Sequence, residues 1–328
     1  MAKYCILLIF LLTSALLIAC GAFFYYQSIP SMTEKTYIVE RGESLQHIAK
    51  DLHEQGVIQH PMALIVLARI TGKANHIQSG EYLFEKNSTL EEILGKMVKG
   101  DVIMHHLRIG EGWTFAELAA QITLHPALEK TLDWSSPETI IHQLKLGLHK
   151  PEGLFYPDTY YFPRGYTDAA FLTRAYHDMQ KLVSAVWEDR APDLPYKMTY
   201  EALIAASIIE KETAVPTEYQ EIAGVIVRRL KQHMLLQVDP TVVYGLGADY
   251  SQALTHADLA QDTPYNTYLH HGLPPTPIAF PSQAAIYAAM HPANGTTLYF
   301  VANGDGSHTF TSTLEAHNKA VAAYRNRE

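Results

Sequence analysis

Two glutamates, Glu210 and Glu212, follow a run that is almost wholly small or apolar, Ala202-Leu203-Ile204-Ala205-Ala206-Ser207-Ile208-Ile209. The run opens at Thr199, placed to cap a helix, and Pro216 forces that helix to finish between about Thr213 and Val215. Leu203, Ala206, Ser207 and Glu210 then share one stripe. Glu210 is expected to leave the helix from a packed face, near carbonyl ends whose partial negative charge disfavours a carboxylate. A carboxyl kept protonated near neutral pH is the general acid that breaking a glycosidic bond requires. The competing reading is a structural ion pair between Glu210 and Lys211, Arg228 or Arg229.

Polar groups recur downstream. In Leu235-Leu236-Gln237-Val238-Asp239-Pro240-Thr241-Val242-Val243-Tyr244-Gly245, alternation predicts Gln237, Asp239 and Thr241 on one side, a row suited to sugar hydroxyls. Tyr265-Asn266-Thr267-Tyr268 and Gly272-Leu273-Pro274-Pro275-Thr276-Pro277-Ile278 add the aromatic and amide groups that saccharide sites favour and that loop packing also uses. Between Pro151 and Pro163 the chain is too broken by proline for a helix and too aromatic for a linker. It predicts a loop packed on or near a cleft, carrying Glu152. No metal or cofactor is expected: the 17 histidines form no HExxH, and the adjacent pairs His105-His106 and His270-His271 point their rings apart.

The elements that hold these groups begin with a membrane segment. Residues 4–26 carry no charge, and at about 1.5 Å per residue they can cross a hydrocarbon core of roughly 30 Å. Lys3 before the segment, with Glu34 and Lys35 well after it, favours a cytoplasmic N-terminus and an exported body. The apolar run is too long for a cleaved signal peptide. Leu17-Ile18-Ala19-Cys20 resembles a lipoprotein processing site, but the chain stays apolar past the cysteine. Cys5 and Cys20 both lie here, so residues 27–328 hold no disulfide, thiol nucleophile or cysteine metal site. The 328 residues are 48% hydrophobic and 18% charged, enough for about two folded units. Net charge −9 removes the basic footprint of a nucleic-acid binder.

Past the proline-bearing joint, Tyr37-Ile38-Val39, a Gly42 turn and a Ser44 cap predict strand, turn and helix, with Leu45, Ile48, Ala49 and Leu52 inward. The phrase recurs at Ser88-Thr89-Leu90 and at Gly112-Trp113-Thr114-Phe115, as βα units commonly start. A long amphipathic helix is predicted within 166–188, and a second from Glu218 to about His233 with Arg228, Arg229 and Lys231 outward. Val39-x-x-Gly42-x-Ser44-Leu45-x-x-Ile48-Ala49 resembles the LysM module, a small βααβ unit whose relatives bind N-acetylglucosamine polymers. The alternative is a LysM-like spacer without sugar affinity.

Ala206 to Thr213, Gln237 to Gly245, Tyr265 to Tyr268, Gly272 to Pro275, Leu298 to Ala302 and His308-Thr309-Phe310 together resemble the YceG family of endolytic murein transglycosylases. The resemblance covers essentially the whole chain. It implies an α+β fold with one N-terminal transmembrane helix, a small LysM-like α/β subdomain and a larger α+β catalytic domain. The expected order is a cytoplasmic N-terminus (1–3), membrane helix (4–26), linker (27–35), LysM-like subdomain (36–105), connecting α/β region with the aromatic loop (106–190) and catalytic domain (191–328). It implies cleavage of the MurNAc–GlcNAc bond within nascent peptidoglycan without water, leaving a 1,6-anhydro-MurNAc end and terminating strand growth. The family's catalytic glutamate matches Glu210. Gln237, Asp239, Thr241, Tyr244, Asn266, Thr267, Tyr268 and Glu152 would bind substrate. The implied partners are peptidoglycan strands, the inner membrane that anchors a periplasmic body, and peptidoglycan synthases.

Thr276 departs from the glycine expected after the two prolines, and the loop around Glu152 is a variant spelling. Two other functions stay open. One is a water-using muramidase with Glu212 or Asp239 as second carboxylate. The other is a non-catalytic peptidoglycan-binding scaffold.

Overall fold

The computed structural model describes residues 9–16, 18–19, 21–22, 34–147, 150–247 and 250–325. Residues 9–16, 18–19 and 21–22 are helical; the rest of the 4–26 segment, with both cysteines, lies outside the described residues. Among the described residues no helix is long and apolar enough to cross a membrane. The fold is α+β, and the chain divides into two compact units, Met1–His105 with Tyr161–Tyr166, and His106–Tyr160 with Thr167–Glu328.

In the first unit, strand Lys35–Val39 leads through helices Leu45–Glu54 and Pro61–Ile70 to strand Gly80–Phe84, followed by helix Leu90–Lys99. The strands pair antiparallel, from Lys35 opposite Phe84 to Val39 opposite Gly80. Period-two alternation buries Tyr37 and Val39 and exposes Ile38. The predicted caps form: the Ser44 hydroxyl accepts the His47 N–H, and Thr89 and Glu92 close a capping box. Ile48, Ala49 and Leu52 meet Leu64, Tyr82, Phe84, Ile93 and Met97 in one core. Burying each large apolar side chain contributes about 1.5–3 kcal/mol relative to exposure.

The second unit is organised around helix Thr199–Glu212, buried without a break from Ala202 to Ile209. Its alanines let neighbours approach closely, and it packs chiefly against helices Gln283–Met290 and Tyr219–Lys231. Helix Asp168–Glu188, capped by Thr167, adds Phe171, Ala175, Met179 and Val183 to the core. At its start the fully buried Asp168 gathers donors from Thr131, Leu132 and Trp134. The unit closes with the antiparallel hairpin Tyr299–Ala302 and His308–Thr311, then helix Leu314–Arg325.

Three local expectations change. Thr199 is the first helical residue rather than the cap, and the Lys197 N–H finds its acceptor in the Glu201 carboxylate at 2.5 Å. The segment after Leu236 is not a strand: Gln237 is left-handed at φ 51°, and helix Asp239–Leu246 starts there, with Pro240 in its first turn. Proline's fixed φ and missing N–H suit that position, and this outweighs the alternation. Arg229, expected to face solvent, is buried; its guanidinium donates to the carbonyls of Leu298 and Leu236 at 2.6 and 2.7 Å. A buried guanidinium is tolerated because these carbonyls take up its donors.

Candidate active site

Glu210 lies in the last turn of its helix and is half-buried. Its Oε2 accepts the Ser282 N–H at 2.9 Å and the Ser282 hydroxyl at 2.5 Å. Ser282 is also the N-cap of helix Gln283–Met290, its oxygen accepting the Ala285 N–H at 3.2 Å. One hydroxyl thus caps a helix and holds the carboxylate, and the positive end of that helix's dipole points at Glu210. The ion-pair alternative is not what forms. Lys211 donates to the Gly112 carbonyl at 3.3 Å, and Arg228 and Arg229 donate to backbone carbonyls elsewhere.

Two segments distant in sequence wall this position. The Gly112 N–H donates to the Phe280 carbonyl, and the Phe280 N–H donates to the Trp113 carbonyl, each at 2.8 Å. Gly112, at φ +70°, sits where an added Cβ would lie 3.9 Å from the Glu210 Cγ. Buried Ser207, one turn before Glu210, accepts the Ile278 N–H at 3.0 Å and fixes the 272–282 segment from below. Tyr219 completes the wall; burial, then the charge of Glu210, raises its hydroxyl above the ordinary tyrosine value. An open cavity of about 600 Å³ begins here, lined by Glu111, Tyr156, Tyr219, Ser282, Gln283 and Tyr287.

Glu212 points elsewhere, as two positions along a helix must. Its Oε2 is occluded and has no hydrogen-bond partner among the described residues, and burial followed by the charge of Asp239 pushes its carboxyl up to about 7. Asp239 accepts the Tyr268 hydroxyl at 2.5 Å. The Gln237 N–H donates to the Thr267 carbonyl at 3.0 Å, and its side-chain oxygen lies 3.5 Å from the Arg229 guanidinium.

Three of the residues expected to bind sugar, Thr241, Asn266 and Thr267, lie beneath the surface. Thr241 and Thr267 share a 2.9 Å hydroxyl contact, and Thr267 also accepts the Val238 N–H. Asn266 donates to the carbonyls of Leu259 and Gln261 and accepts the Tyr268 N–H. All three are at most 2% exposed, and their polar groups are paired within the loops that they order. Tyr244 donates to Glu152 at 2.9 Å, and the Phe115 N–H donates to the other Glu152 oxygen at 2.8 Å. Thr276 is buried, its hydroxyl 2.8 Å from that of Tyr265.

Glu152 is therefore a buried brace, and burial pushes its carboxyl up to about 7 despite the two donors. A carboxyl raised from 4.5 to about 7 binds its proton more tightly folded than unfolded. Its stabilisation is full below 4.5 and is lost as pH rises through 7, at most about 3 kcal/mol. Urea unfolding at pH 5 and pH 8 is expected to show that loss, and Glu152→Gln is expected to shrink it. An unchanged difference would contradict the assignment. Gly153 beside it adopts φ +74°, and a Cβ there would run into Pro277. Gly153→Ala is expected to cost about 1–3 kcal/mol, read from the urea midpoint.

Sequence reasoning missed Ser282, Tyr219, Glu111 and Tyr287. Ser282 before Gln283-Ala284-Ala285 does carry a cap signal, but nothing local joins it to a glutamate 72 residues earlier. Among the described residues, Glu43, His47 and Asp51 offer ligand atoms within 4.8 Å of one another. They lie on the Leu45–Glu54 helix and the turn before it, in the first unit, where His47 is an i,i+4 neighbour of each.

A family model described as the YceG-like family matches residues 37–323. A Bacillus subtilis protein named endolytic murein transglycosylase is 32% identical, with 94% of this chain and 91% of that protein covered. A Streptococcus pneumoniae protein of the same name is 26% identical; the match takes in 97% of this chain and 64% of that longer protein. A crystal structure of a yceG-like protein from Listeria monocytogenes superposes with a TM-score of 0.57 at 30% identity, covering 88% of this chain and all of that one.

Proposed function

The chain belongs to the YceG-like family, and from that membership and the setting of Glu210 we propose that it is an endolytic lytic transglycosylase acting on peptidoglycan. The observation that carries the reading is Glu210 at the end of a buried helix, held by two donors from Ser282, which itself lines the cavity. The protonated carboxyl gives its proton to the glycosidic oxygen as the bond from MurNAc C1 to the GlcNAc oxygen breaks. The resulting carboxylate then removes the proton from the same MurNAc 6-hydroxyl as that oxygen bonds to C1. No water is consumed, the sugar closes to a 1,6-anhydro end, and Glu210 regains its proton. Ser282 stabilises the anion between the two steps, already in place before charge develops. Cutting within nascent strands in this way would end their elongation.

In this reading residues 4–26 anchor the chain in the inner membrane, with the body in the periplasm beside peptidoglycan synthases. The charge-free run supports it. The βααβ order of the first unit supports a LysM-like contact with glycan. Hydrolysis is the second reading, with Glu212 or Asp239 as the second carboxylate; it is favoured by Asp239, which lies exposed and would hold the attacking water.

Mass spectrometry of peptidoglycan digested by the full-length protein in detergent separates the two. Anhydro-ended fragments are expected. Reducing ends would establish hydrolysis, and no fragments from folded protein on uncrosslinked strands would leave a binding scaffold.

A further inference from the structure

The cavity beside Glu210 has an outer wall that catalysis by Glu210 does not use. Tyr287 is 46% exposed there, an aromatic ring that lines the cavity. Its back is covered. The His291 imidazole stacks on it at 4.1 Å between centroids with the planes 15° apart. His291 is itself fixed, Nε2 lying 2.6 Å from the Asp189 carbonyl and Nδ1 3.1 Å from the Tyr287 carbonyl. The Gln220 amide donates to the His291 carbonyl at 2.9 Å. The ring of Tyr287 is thus a rigid plate with one face buttressed. Gln283 lies one helical turn earlier on the same face, exposed, and Glu111 lines the same cavity from the segment just before Gly112.

A pyranose ring has an apolar face of axial C–H groups and a rim of hydroxyls. It therefore fits an aromatic plate flanked by an amide and a carboxylate. We propose that Tyr287 is the stacking platform of a glycan subsite next to Glu210, with Gln283 and Glu111 taking the hydroxyls of the sugar laid on it. The proposal rests on the glycan-cleaving reading and names where the strand is gripped. Binding on this plate holds the strand equally before and during bond breaking, so its loss raises KM and leaves kcat in place.

The test uses full-length protein in detergent and long peptide-free glycan oligomers of alternating MurNAc and GlcNAc. Tyr287→Ala is expected to raise KM about tenfold with kcat within about twofold, while Tyr287→Phe and Tyr287→Trp keep the wild-type KM. The side chain is exposed and alanine favours helix, so the melting temperature is expected to hold. Oligomer affinity measured in a Glu210→Gln background is expected to fall by the same factor on Tyr287→Ala. Cleavage by the wild type with KM and affinity unmoved by Tyr287→Ala would overturn the subsite and leave the enzyme reading standing. Tyr287-dependent affinity without cleavage would support the subsite and remove the enzyme reading. Neither cleavage nor affinity would overturn both.

Discussion

Glu210→Gln is expected to lower glycan cleavage by about 10²- to 10⁴-fold while the urea midpoint stays near that of the wild type. Glutamine has almost the same shape, and its side-chain oxygen can accept the Ser282 N–H and hydroxyl in place of Oε2. The N-cap of helix Gln283–Met290 is therefore preserved, and the core beneath is untouched because Ser207 holds the 272–282 segment independently. What the amide lacks is a proton to give and a site to receive one, and the proposed reaction needs both in turn. Rates of fragment release by wild type and variant, measured beside their unfolding curves, separate lost chemistry from lost fold. If the variant cleaves at the wild-type rate, another carboxyl does the work. Glu212, its carboxyl raised to about 7, is the next to substitute. Glu152 is not an alternative of the same kind, since both its oxygens are taken by Tyr244 and Phe115.

Asp168→Ala is expected to remove about 3–5 kcal/mol of stability, enough to unfold a marginal domain. The carboxylate is fully buried and gathers the Thr131 N–H at 2.9 Å, the Thr131 hydroxyl at 2.6 Å, the Leu132 N–H at 3.3 Å and the Trp134 indole N–H at 2.8 Å. The Ala169 N–H adds a contact at 2.8 Å at the start of helix Asp168–Glu188. Deleting the acceptor leaves these donors in a place that water cannot fill without opening the fold. Asp168→Asn costs less, because one oxygen stays, but its amide then faces donors. Burial alone would raise this carboxyl, yet the bonds from Thr131, Trp134 and Leu132 outweigh it and hold the group below 3.8. A lowered carboxylate contributes stability that is present above its unfolded value and is lost as pH falls through the folded one. Urea unfolding at neutral pH measures the loss, and following it into acid should show a shallower decline in the variant. A midpoint within about 0.5 kcal/mol of wild type would mean that the loop 131–134 rearranges to find other acceptors.

Several parts of this protein could be read from residues close together in the chain. Ser44, Thr89 and Thr114 cap their helices as their spacing requires, because a cap is a bond across three residues. The buried helix ending at Glu212, and the position of Glu210 in its last turn, follow from a small apolar run closed by Pro216. The α+β class and the YceG-like family were legible for a similar reason, since both rest on ordered local phrases.

Residues 237–241 show where local reading fails. Alternation and a helix-starting proline competed for the same few residues, and the proline won. The fate of Thr241, Asn266 and Thr267 depended on partners up to 29 residues away, which pulled their polar atoms inward. The bond from Ser282 to Glu210 spans 72 residues, and the His291 backing that makes Tyr287 a plate is tied to Asp189 across 102. Such pairings cost chain entropy that only the assembled core offsets, so no short stretch of sequence records them. The sequence by itself determined which helix carries Glu210 and where along it; the packing of helix Gln283–Met290 against that helix decided what surrounds its carboxyl.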